Sequence, residues 1–303
     1  MISVGAQFGP SNDRYLILGA SGLLGAILYR ELKCESETYG TFFKSSKTRD
    51  QELIHLDATD FVELKSLICK IAPTRVINCV GLASVEDCES RPEASWKVNT
   101  EIPLRLAQIT RSVGAQFVQI STDHFKSPEN TPRPEMIEAN PVNQYGFTKL
   151  EAEVLVRFYN PEALILRTNF FGHSINGGRS LLDFALSAIA SQTAVTGFSD
   201  VFFSPVGAEE IAKFLMDSRS KTITGILNFA SNETITKFDF LTLVAKYKNS
   251  SQSSIIRASI SNSGLSVPRP NYLALNPSRL IHEIGYNLPS LESMLQTELR
   301  GIN

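Results

Sequence analysis

The stretch PVNQYGFTKLEAE, residues 141–153, carries Tyr145 and Lys149 four positions apart. On a helix that spacing puts a phenol and an ammonium on one face. A little upstream, the apolar run AQFVQI (115–120) ends in Ser121, Thr122 and Asp123. A hydroxyl, a phenol and an ammonium together suit an oxygen that gains negative charge as a carbonyl carbon accepts hydride. That oxygen needs a proton donor and a hydrogen bond that strengthens as charge develops. Tyr145 is the candidate general acid, and Thr122 is the hydroxyl that fixes the carbonyl. Free tyrosine titrates near ~10, and a neighbouring ammonium favours the phenolate. Lys149 is therefore expected to lower the Tyr145 phenol.

A hydride donor has to be held as well. The stretch LILGASGLLGAILYREL (16–32) runs from a short apolar segment through Gly19, Gly22 and Gly25 into an amphipathic pattern. With a strand before and a helix after, the three glycines fit a dinucleotide turn. Gly19 allows the tight turn. Gly22, with Ser21, Leu23 and Leu24 beside it, brings backbone N–H groups to a pyrophosphate at the helix start. Gly25 lets helix and strand pack closely. The alternative is a plain structural turn. The second strand ends in TFFKSSKTR (41–49), with cations and hydroxyls and no carboxylate. Lys44 and Ser45 there suit a 2′-phosphate, so NADPH is expected, with NADH as the second choice. Asp57, with Ala58 next to it, follows the third strand. It is placed either to reach an adenine or simply to make a turn. Lys149 would also hold the nicotinamide ribose.

The elements that must position these residues alternate. Strands are expected at 14–20, 37–43, within 52–60, and at 75–81, 115–122 and 163–168. Helices are expected at 23–33, 61–72, 92–114 and 143–159. The strands lack polar alternation, as in a doubly wound parallel α/β sheet covered on both faces. The domain division is a tail at 1–13, a dinucleotide-binding domain at 14–170, and a smaller mixed α/β domain at 171–303. The last mainly binds substrate, with some segments returning to the first. Later helices are expected at 181–190, 204–218 (entered through Pro205) and 236–247, with a strand at 225–231.

The 303 residues carry a net charge of −2 and 43% hydrophobic residues, a balance that gives no basic surface for nucleic acid. No apolar run approaches the ~20 residues of a membrane span, and the first residues lack the pattern of a signal peptide. A cytoplasmic protein with reduced thiols is expected, with Cys69 and Cys79 inside buried elements. The four histidines are scattered, so no metal site is expected.

In these motifs the sequence resembles the extended short-chain dehydrogenase/reductases, and within them the dTDP-4-dehydrorhamnose reductase family. The resemblance runs from about residue 14 to the end. It is carried by GASGLLG, NCVGLASVEDCE, WKVNTEIPLRLA, STD, PVNQYGFTKLEAE, LRTNFFG, SPVGAEEIA and the tail RPNYLALNPSRL with GYNLPSLESML. It implies a Rossmann domain with a C-terminal substrate domain. It also implies NAD(P)H-dependent reduction of the 4-keto group of a nucleotide-diphosphate 6-deoxysugar, with Thr122, Tyr145 and Lys149 as the catalytic trio. By the same resemblance Cys79, Val80 and Gly81 line the cofactor, and Asn99 lies on the helix behind it. Asp123, His124, Asn169 and Phe170 fall where the sugar would lie. Arg269 sits where a guanidinium would meet a nucleotide phosphate, with a surface role as the alternative. Fold analogy points to a homodimer.

Two departures matter. The family usually continues Ser-Thr-Asp with Tyr-Val-Phe-Asp-Gly, where this chain has His124-Phe125-Lys126-Ser127-Pro128. The family often has a Trp shortly after Arg-Thr, where Asn169, Phe170 and Phe171 follow here. The stretch after Asp123 keeps open the first of two other readings. One is a non-catalytic NADP-binding subunit similar to the methionine adenosyltransferase beta subunit. The other is a nucleotide-sugar epimerase or dehydratase.

Overall fold

The computed structural model describes residues 13–44, 52–127, 130–174, 180–248 and 255–300; the tail up to residue 12 and Ser45 lie outside them. The first half alternates as β1 (Arg14–Leu18), α1 (Leu23–Lys33), β2 (Glu37–Phe42), β3 (Ile54–His55), α2 (Phe61–Ile71) and β4 (Arg75–Asn78). It continues with α3 (Val85–Ser90), α4 (Pro92–Trp96), a π-helical turn (Lys97–Glu101), α5 (Ile102–Val113), β5 (Gln116–Ile120), α6 (Gln144–Tyr159) and β6 (Leu164–Thr168). The second half begins with β7 (Phe170–Phe171), α7 (Leu181–Ser191), β8 (Val195–Phe198), β9 (Phe202–Phe203), β10 (Val206–Gly207) and α8 (Ala208–Met216). Then come β11 (Gly225–Phe229), β12 (Ile235–Thr236), α9 (Lys237–Tyr247), β13 (Ile255–Ala258), α10 (Ser278–Ile284) and α11 (Leu291–Leu299).

Among the described residues, seven strands form one sheet in the order β11-β6-β5-β4-β1-β2-β3, with every neighbouring pair parallel. The chain winds outward from β1 to β3, then returns to lay β4 on the other side of β1. In such a sheet the crevice at the carboxyl ends of the two central strands receives the ligand. Two-residue alternation sends β1 side chains to opposite faces. Tyr15 and Ile17 join the layer of α1 and α8, while Leu16 and Leu18 join that of α2, α5 and α6. The late strand β11 pairs with β6 and so belongs to the main sheet. Short strands β7 to β10, β12 and β13 pair with one another outside it.

Three local expectations are corrected. The helical pattern at 92–114 is broken by the π turn at Lys97–Glu101, although it does end on Gly114 at φ 73°. The helix expected from Pro205 begins only at Ala208, because Val206 and Gly207 first pair with Phe170 and Phe171. Cys69 is exposed: its neighbour Ile68 takes the buried face of α2.

Candidate active site

Gly19 turns the chain out of β1 at φ +79°, and a side chain there would press on the Cys79–Val80 backbone at 3.1–3.2 Å. Gly25 closes the turn from the other side: a Cβ on it would lie 2.2 Å from the Gly19 carbonyl oxygen. Helix and strand are therefore in backbone contact. Helices α2, α6, α7 and α9 are each capped by their own Asp, Asn, Ser or Thr side chain. Gly22 gives α1 no side-chain cap. The first-turn N–H groups of a helix have no partner within it, and the positive end of the helix dipole gathers there. A cleft of about 280 Å³ opens there, lined by Gly19, Ser21, Gly22, Lys44, Asp57, Ala58, Cys79, Val80 and Gly81. An uncapped helix start, an apolar slot and a lysine at the rim fit a dinucleotide with a 2′-phosphate.

Not every expected residue faces this cleft. Leu24 and Gly25 are buried in the packing of α1 on the sheet. Asp57 lines the cleft but uses Oδ1 to accept from the Thr59 N–H and hydroxyl, at 2.9 and 2.8 Å. Asn99, on the π turn, supports the loop that follows Gly81. Its Oδ1 accepts from Leu82 N at 2.8 Å and its Nδ2 donates to Leu82 O at 3.0 Å. The π turn points this amide at the loop behind Gly81.

At the carboxyl end of β5 the Thr122 hydroxyl stands beside the Tyr145 phenol, and Thr122 Oγ1 accepts from His124 N at 3.1 Å. Asn143 starts α6 by accepting from Gly146 N at 2.9 Å. This sets Tyr145 in the first turn and Lys149 one turn later. Burial pushes the Tyr145 phenol up to about 12 against the pull of Thr122. The lowering expected from Lys149 is not what this arrangement gives. Lys149 Nζ donates to Ile120 O at 2.7 Å, and burial brings the ammonium down to about 8. Tyr145 thus holds its proton at neutral pH, as an acid must.

Around this pair, burial raises Asp123 to about 6 against the pull of the Lys237 ammonium, and its Oδ2 accepts from Asn169 Nδ2 at 2.7 Å. The His124 ring meets Tyr145 edge-on at 5.5 Å; burial, with Arg269 and Lys237 nearby, lowers it to about 4. Phe170 sits in β7 and packs on the core. Arg269 forms an ion pair with Glu86, so its guanidinium already has an anionic partner. Lys237 was not foreseen. It opens α9, lies 3.4 Å from the Phe203 ring centre, and is lowered by burial to about 8 while Asp123 draws it up. A lysine in a first helical turn reads as surface; only the folding of the second half against β5 brings it here. Among the described residues no cluster has the makings of a metal site.

The doubly wound sheet with its glycine turn is that of an extended short-chain dehydrogenase/reductase, the NAD(P)-dependent oxidoreductase class. Residues 13–302 match the family described as the RmlD substrate binding domain, and the chain belongs to that family. It is 28% identical over 284 residues to a probable low-salt glycan biosynthesis reductase, Agl14, of Haloferax volcanii, covering 92% of this chain and 95% of that protein. It is 29% identical over 252 residues to the methionine adenosyltransferase 2 subunit beta of Xenopus tropicalis, covering 77% and 71%. The crystal structure of dTDP-4-dehydrorhamnose reductase from Bacillus anthracis in complex with NADP superposes with a TM-score of 0.84. It covers 95% of this chain and 99% of that one at 22% identity.

Proposed function

We propose that the protein is an NADPH-dependent reductase of a keto group on a nucleotide-diphosphate sugar, the 4-keto-6-deoxyhexoses being the first class to test. The observation that carries this is the Thr122 hydroxyl set beside the buried Tyr145 phenol, with Lys149 buried one turn on, next to a cleft that fits the cofactor. When bound, the reduced nicotinamide supplies the hydride. Thr122 and Tyr145 bind the carbonyl oxygen, and Tyr145 gives it a proton as charge develops. Lys149 then stabilises the phenolate left behind and holds the ribose. Lys44 holds the 2′-phosphate. Asp123, Asn169 and Lys237 surround the position of the sugar.

The test is loss of NADPH absorbance with dTDP-4-keto-6-deoxyglucose. Tyr145→Phe is expected to cut the rate by ~10²–10⁴ while leaving NADPH binding, read by thermal shift, intact. No turnover with this or other nucleotide-linked keto-sugars, despite NADPH binding, removes the reductase reading. It leaves a non-catalytic NADP-binding subunit, which the likeness to the beta subunit and the His124 ring lying against Tyr145 favour.

A further inference from the structure

Behind the candidate site lies a charged layer that the reaction as described does not use. Glu153 follows Lys149 by one turn of α6, and its side chain is 2% exposed. Its Oε2 accepts from Arg167 Nη2 at 2.6 Å, and its Oε1 accepts from Arg167 Nε at 3.0 Å. Oε1 also accepts from the Ser121 hydroxyl at 2.5 Å. Ser121 directly precedes Thr122, and Ile120, which precedes Ser121, offers its carbonyl to Lys149. One carboxylate therefore ties together the ends of β5 and β6 and the helix that carries Tyr145 and Lys149.

We propose that Glu153 is a positioning residue for this site, holding the Ser121–Thr122 turn in register with α6 and supplying the negative charge that keeps Lys149 an ammonium. This deepens the reductase reading and rests on it for its catalytic meaning. The groups facing Lys149 are few. Cys79 from the end of β4 and Cys88 from α3 are raised by burial and stay neutral thiols. Tyr145 on its own helix keeps its proton. Among these groups Glu153 exerts the strongest pull in favour of the Lys149 ammonium against burial. On its other side Glu153 faces Arg167, with Arg133 also near. Arg133 and Arg167 both stand over the Phe125 ring, at 4.8 and 5.3 Å.

A buried ion pair is also a structural feature, and removing one partner leaves an uncompensated charge. The experiment therefore compares Glu153→Gln with the double variant Glu153→Gln/Arg167→Met. The double variant removes both charges, while the new amide oxygen still accepts from Ser121. Lys149 is titrated by NMR of ¹⁵N-labelled lysine side chains in the protein without substrate, with Lys149→Met to assign the signal. In both variants the Lys149 midpoint is expected to move down by about one pH unit. The alkaline limb of kcat with NADPH and the keto-sugar should move with it. A merely structural role predicts that the double variant regains the wild-type midpoint and pH profile, and that result overturns the proposal. A double variant that does not fold overturns it too, since Glu153 would then serve the fold alone. If the midpoint moves while no preparation oxidises NADPH, Glu153 keeps its hold on Lys149 and the reductase reading is what falls.

Discussion

Lys149 sets the first expectation at the residue scale. Burial brings its ammonium from an ordinary 10.5 down to about 8, so the cation needed beside the phenol is lost as pH rises through about 8. The rate should accordingly fall over that range rather than two units higher, and a kcat profile from pH 6 to 10 checks it. A flat profile to pH 10 would show that Lys149 titrates normally. Lys237 gives the second. It draws on Asp123 electrostatically, and on the proposed function Lys237→Met should raise KM for the keto-sugar by about tenfold, the worth of one charged hydrogen bond, with a smaller change in kcat. Equal KM values for variant and wild type would take Lys237 out of the substrate site. These two lysines also mark what was legible beforehand. Thr122, Tyr145 and Lys149 could be gathered from spacing alone, because a helix period and a strand end dictate it. Lys237 is separated from Asp123 by more than a hundred residues of chain, and nothing local in TITKFDF signals where α9 will dock.

The turn between β1 and α1 carries the expectation at the scale of elements. Gly25→Ala would put a methyl carbon 2.2 Å from the Gly19 carbonyl oxygen, and only a shift of the helix can relieve it. The expected cost is about 3 kcal/mol, seen as a lower melting temperature together with weaker NADPH binding. A variant with wild-type melting would mean that the two backbones are not in contact. This turn could be read in the sequence because glycine, apolar run and helical period agree. The helix at 92–114 could not be read correctly. Nothing local in WKVNTEI marks the π turn, which is shown by the Ile102 N–H donating to Lys97 O five residues back. The two-residue strands β7, β9, β10 and β12 were likewise hidden, since their partners are set by long-range packing and no run is long enough to alternate.

At the scale of the whole molecule, the last helix completes an earlier one. Gly207 gives α8 no side-chain cap, and Glu298 of α11 accepts from Glu209 N at 3.2 Å instead. Burial raises this carboxyl from 4.5 to about 7 despite those backbone donors. The folded state thus holds a proton that the unfolded chain has released between those values. The stabilising contribution is complete below about 4.5 and is lost as pH rises through about 7. Thermal melts across pH 4.5–8 should show this slope in the wild type and a shallower one in Glu298→Gln; identical slopes would place the titration elsewhere. The same capping bond orders events during synthesis. Glu209 and its acceptor are 89 residues apart, and at ~5–20 residues per second a ribosome needs on the order of ten seconds to make that stretch. Through that interval α8 has emerged with its N-terminus unmet, and until β11 arrives β6 shows a bare apolar edge. The nascent chain is thus most open to wrong pairing and to chaperones after the dinucleotide fold is nearly made, and the arrival of α11 ends that period.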